Sequence, residues 1–226
     1  MENVMSCDYR AWHSPGMSND VAYPVFCSPD PALALSTARR LMEFGRREYS
    51  EVSAYAELSS VAEVRRLAKA MPMGWFRGAS AIEEFEGVPF EDQPPLVVGV
   101  PASGLPAEAA AFEGRLPVEW EVGDLPVGSI EDAFTAAIGP TMGEIHWDSL
   151  EWPDAPEAGL HGESKHAEVT LLFNTRSRYA DERADDHTVL VHVRSAVFDG
   201  RQRREPYAHW LAAQVGLTVI GPAQRF

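Results

Sequence analysis

The alternation of apolar and polar positions is clearest in the last third of the chain. Residues 167–174 (AEVTLLFN) and 188–196 (TVLVHVRSA) are rich in β-branched residues and alternate apolar positions, the period of a strand with one buried face. A charged connection, residues 175–186, joins them. Two such strands linked by a polar loop are most simply antiparallel neighbours. Pro206 then opens a helix with Tyr207, Trp210, Leu211 and Val215 inward. Gly216 ends it, and residues 217–221 are predicted as a last strand.

The first half reads as helix, then helix. Asp30 is placed as an N-cap with Pro31 at the first helical position, where its missing N–H costs nothing. Leu35, Ala38, Leu41 or Met42, and Phe44 fall on one face, and this helix should end near residues 47–49. Ser60 and Glu63 fit a capping box for a second helix whose buried stripe is Val61, Val64, Leu67, Ala68 and Met71. Pro72 stops it. The segment Gly74-Trp75-Phe76-Arg77-Gly78 reads as a turn that drops both rings into the core. Before these helices, residues 21–26 read as a short edge strand interrupted by Pro24, and residues 1–27 as a loosely ordered arm.

In the middle, residues 80–85 read as a short helix capped by Ser80 and Glu83, and residues 96–100 as a buried strand. Residues 101–115 form a loop with one helical turn. Residues 116–122 alternate as a strand, with Val118, Trp120 and Val122 on one side and Glu119 and Glu121 on the other. A helix over 130–138 has Ser129 at its N-cap and Gly139-Pro140 as its stop. Residues 144–150 read as a strand and 151–166 as a Pro-, Gly- and acid-rich loop. The order predicts one α+β domain: a mainly antiparallel sheet with helices packed on it, ending in a β-β-α-β unit.

Charge changes the picture. The chain of 226 residues has a net charge of −15, and residues 78–164 hold eighteen carboxylates against the single base Arg115. The flanking regions are close to neutral. Such a balance disfavours nucleic acid, whose phosphates require clustered Lys and Arg, and anionic membrane surfaces. It favours a basic protein partner, or a solvated face that needs none. No apolar run approaches the roughly 20 residues of a membrane span, and the N-terminus lacks the features of a signal peptide. The two cysteines, Cys7 and Cys27, read as reduced thiols of a cytoplasmic protein.

Candidate chemistry is sparse. The run His161-Gly162-Glu163-Ser164-Lys165-His166 offers two imidazoles and a carboxylate to a divalent cation, with His146 or Asp148 as a further ligand. That set, His146, Asp148, His161, Glu163 and His166, would suit a metal-dependent hydrolase, although its spacing fits no helix-borne pattern. No nucleophile elbow, P-loop or dinucleotide fingerprint occurs, and no catalytic residue or cofactor is assigned.

The acidic stretch also carries Trp120, Trp147 and Trp152. Aromatics supply interface anchors, and carboxylates steer a basic target. In its composition and element order the chain resembles the acidic α+β immunity proteins of bacterial toxin systems. The resemblance implies a module that blocks a basic toxin of the nuclease type. On that reading the expected contact residues are Glu119, Glu121, Glu144, Asp148, Glu151 and Trp152. A structural or assembly subunit is the remaining alternative.

Overall fold

Asp30 accepts the backbone N–H groups of Ala32 and Leu33 at 2.9 and 3.3 Å, and helix α1 (Pro31–Phe44) starts there, as its sequence dictates. Ser60 accepts from the Glu63 N–H, so α2 (Val61–Ala70) opens at the anticipated N-cap, and the Glu63 carboxylate accepts from the Ser60 hydroxyl. The computed structural model describes residues 20–78, 95–156, 159, 161–162, 167–177, 182–194 and 204–225. Three more helices lie within them: the single turn α3 (Pro95–Val98), α4 (Glu131–Ile138) and α5 (Arg204–Gln214). No helix among the described residues is long and apolar enough to cross a membrane.

The strands are β1 (Asp20–Ser28), β2 (Glu51–Leu58), β3 (Trp75–Gly78), β4 (Val100–Pro101), β5 (Val118–Pro126), β6 (Met142–Asp148), β7 (Glu168–Thr175), β8 (Arg183–Arg194) and β9 (Gln224–Arg225). They form one sheet in the order β4-β3-β5-β2-β6-β7-β8-β1-β9, with every pair antiparallel. The fold is therefore α+β with helices on an antiparallel sheet. Both edge strands are two residues long, and short edges are one way to limit edge-to-edge pairing.

The core lies between the helices and one face of the sheet. Leu35 and Leu41 of α1, Val64 and Leu67 of α2, Phe134 and Ile138 of α4, and Tyr207 and Leu211 of α5 share one apolar cluster with Val52, Ala54, Trp120, Ile145, Trp147, Leu171 and Val191. Trp120 stacks on Phe134 at 5.4 Å between ring centroids. This packing leaves no room at Gly74, where a Cβ would fall inside the Trp120 indole. A smaller cluster of Ala22, Leu172 and Leu190 belongs to the other face.

Several local expectations are corrected. Residues 51–58, unassigned by pattern, form the central strand β2. Residues 75–78 are strand β3 rather than a turn: Phe76 is buried, and alternation leaves Trp75 45% exposed. Residues 96–100 are mostly the turn α3, with Pro95 setting its first φ. Residues 217–221 are not a strand, and the chain instead passes beside β1, with the Ile220 N–H bonded to the Pro24 carbonyl at 2.8 Å. Residues 20–27 are not part of a loose arm but of β1, which pairs along β8 with a bulge between Pro24 and Phe26. The proposed helix over 80–85 lies outside the described residues.

Helix α4 is capped differently from the prediction at Ser129. Its N-cap is Ile130, which has no side-chain cap bond. The buried carboxylate of Glu131 takes the role. Oε1 accepts from Gly128 N–H at 2.7 Å and from Trp147 Nε1 at 3.0 Å, and Oε2 accepts from Ile130 N–H at 3.1 Å. Three donors satisfy a charge that burial alone would make costly.

Candidate functional site

The strand period that buries Val52, Trp120 and Trp147 turns their neighbours to the opposite face of the sheet. Cross-strand register then sets those neighbours in rows. Trp75, Glu121, Tyr55, Glu144 and Leu172 lie side by side across β3, β5, β2, β6 and β7. Arg77, Glu119 and Glu57 form a second row. Ser53, His146, Thr170 and Leu190 form a third. Glu51 and Asp148 pair beyond them, and Glu168 sits opposite His192. One sheet face thus gathers seven carboxylates: Glu51, Glu57, Glu119, Glu121, Glu144, Asp148 and Glu168.

Exposure grades across this face. Thr170, Leu172, Leu190 and His192 are buried, and Glu144 nearly so, whereas Trp75 is the most open of the rows. Arg77 pairs with Glu119 at 3.1 Å. Burial raises the Glu121 carboxyl above its usual range; Arg77 opposes this and Glu119 adds to it. Burial also raises Asp148, against a hydrogen bond from Ser149, with the charge of Asp124 adding. The Tyr55 phenol is held protonated far above its ordinary range, first by burial and then by Glu119, Glu57, Glu144 and Glu121. Local charge and desolvation both press on this row.

Of the expected contact residues, Glu119, Glu121, Glu144 and Asp148 therefore share the face. Glu151 stands apart and exposed. It exchanges two backbone hydrogen bonds with Arg46, at 3.0 and 3.1 Å, and pairs with it through the side chains at 3.4 Å. Trp152 is corrected: it is fully buried in the helix-side core and donates Nε1–H to the His192 carbonyl at 2.8 Å. Trp120 and Trp147 are fully buried as well. Acid and tryptophan alternate in sequence because they occupy opposite faces of β5 and β6. Among the described residues, the tryptophan on the acidic face is Trp75, which the turn reading had placed inside.

Of the expected metal set, the described residues include His146, Asp148 and His161. His161 is exposed, 3.9 Å from Asp154, while Glu163 and His166 lie outside the described residues. His146 finds other neighbours. Its Nε2 is 3.3 Å from Glu168 Oε2, and His192 Nδ1 is 3.6 Å from the same oxygen. Thr170 Oγ1 lies 2.9 Å from both His146 Nδ1 and His192 Nε2. The two imidazoles meet edge to face, with centroids 5.7 Å apart. His146, Glu168 and His192 offer three donor atoms within 4.8 Å of one another. The only sequence signal for this group is parity, and it needs the register of three strands to be read. His192 is fully buried.

Cys27 is a free thiol, 3.4 Å from Arg176 Nη1. No protein-family model, curated protein or solved structure matches the chain.

Proposed function

We propose that this protein is a binding module that neutralises a basic protein partner through the acidic face of its sheet, in the manner of an immunity protein against a nuclease-type toxin. The observation that carries the reading is the row Trp75, Glu121, Tyr55 and Glu144, flanked by Glu119 and Glu57. A half-exposed tryptophan stands among carboxylates, of which Glu119 is paired with the Arg77 guanidinium. A nuclease must present a positive cleft to hold phosphates. Carboxylates would steer that cleft onto the sheet, and Trp75 would supply buried area at contact. The burial of Trp152 moves the expected anchor to Trp75 without changing the charge argument.

The test is capture of the partner followed by zero-length carbodiimide cross-linking, which joins a carboxylate to a lysine only at contact. The expected result is a one-to-one complex with a basic protein, weakened by salt, with cross-links at Glu57, Glu119 or Glu121. Cross-links confined to other surfaces, or affinity indifferent to salt, would overturn the reading.

A further inference from the structure

We propose that His146, Glu168 and His192 form a binding site for a divalent first-row metal ion of the zinc class, with Thr170 as the residue that orients both imidazoles. The inference is independent of partner binding and rests on the geometry of four side chains.

A threonine hydroxyl has one proton and two lone pairs. Thr170 can donate to one imidazole and accept from the other. The imidazole that accepts carries its own proton on the nitrogen facing Glu168, which suits the carboxylate. The nitrogens turned away from Thr170, His146 Nε2 and His192 Nδ1, both converge on Glu168 Oε2, at 3.3 and 3.6 Å, so two imidazoles and one carboxylate aim their donor atoms at a common point.

A metal ion fits this arrangement. With the ion on His146 Nε2, His192 Nδ1 and Glu168 Oε2, both remaining ring nitrogens carry protons. Both then donate to Thr170 Oγ1, which accepts two bonds at the observed 2.9 Å. This is the usual support of a ligating histidine, whose second N–H is held by an oxygen. Donor spacing also fits. Bonds of about 2.0–2.1 Å in a tetrahedral zinc site separate the donors by roughly 3.3 Å, against 3.3 and 3.6 Å here for the two nitrogen–carboxylate pairs. Two histidines and one carboxylate leave a fourth position for water, the arrangement of a catalytic rather than a structural zinc site. The three ligands come from adjacent strands β6, β7 and β8, so the sheet itself fixes their spacing.

The experiment strips the full-length protein with chelator and titrates it with zinc chloride. The expected result is one zinc per chain after gel filtration and a rise in melting temperature. Glu168→Gln and His146→Gln each lower the zinc affinity by about 100-fold or more, and Thr170→Val lowers it about 10- to 100-fold. Absence of stoichiometric zinc in the wild type, or unchanged zinc affinity in both Glu168→Gln and His146→Gln, would overturn the site. X-ray absorption of the zinc-loaded wild type reads the ligands without any variant. Two imidazole nitrogens in the first shell support the assignment, and a shell without them refutes it.

Discussion

Trp152 donates its indole N–H to the backbone carbonyl of His192 at 2.8 Å, from the helix-side core to the strand that carries a buried histidine on the opposite face. A residue that reads as an interface anchor is thus a structural brace. Trp152→Phe should cost about 1–3 kcal/mol through the orphaned carbonyl and lost volume, and Trp152→Ala about 3–5 kcal/mol. Urea denaturation measures both. Folded Trp152→Phe should bind the basic partner as the wild type does, and a folded variant that fails to bind would return Trp152 to the interface.

Trp75 should behave in the opposite way. It is 45% exposed, so Trp75→Ala should shift stability by less than about 1 kcal/mol while weakening partner binding by roughly 2 kcal/mol or more. Glu121→Lys should slow association and lower its salt dependence. Stopped-flow association at several ionic strengths separates the two effects.

Glu131 is a third case, in which an acid inside the protein is wholly structural. Glu131→Ala strands the N–H groups of Gly128 and Ile130 and the indole of Trp147, and should cost about 3–5 kcal/mol. Glu131→Gln keeps one acceptor and turns the other into a donor facing an N–H. It should cost less than the alanine but remain destabilising. Thermal and chemical melts of the two variants give the order.

The acidic face should make stability rise on mild acidification. Glu121 and Asp148 hold a proton more tightly folded than unfolded, because burial raises both. As pH falls from neutrality the folded state takes up protons first, so its stability increases until the ordinary carboxyl range of 4.5 and 3.8 is reached. Asp132 works with the other sign, being held low by its hydrogen bond to Arg39. Its contribution is present above 3.8 and is lost as pH falls below it. The melting temperature should therefore climb as pH falls toward the ordinary carboxyl range and drop below 3.8, with His187, held low by burial, opposing the climb below its ordinary 6.5. Glu121→Gln should flatten the climb, and an unchanged profile would contradict the assignment.

The elements with strong local signals were legible from the chain. Asp30 with Pro31, and Ser60 with Glu63, announced α1 and α2, and the β-branched runs announced β7 and β8. Strand β2 was not, because Ala54 and Ala56 supply its buried face with small side chains that carry little β-propensity. They are small because they pack in a crowded layer: a Cβ at the neighbouring Gly143 would meet the Tyr55 carbonyl at 2.5 Å. The acidic half of the site was legible as parity in β5 and β6. The His146–Glu168–His192 group was not, since Glu168 reads as one more polar residue until β7 is set in register between β6 and β8.

The position of β1 governs how the molecule can be made. Val21 lies opposite Val193, so the first described strand must wait for the eighth. Among the described residues, six strands and four α-helices are synthesised between them. Throughout that interval β1 carries Val21, Tyr23 and Val25 with no ladder to join, while β7 offers an open edge to any passing strand. Pairings so distant in sequence fold slowly. Until β8 is made, β1 therefore stays apart from the rest of the sheet, and a product truncated before β8 is expected to aggregate rather than fold.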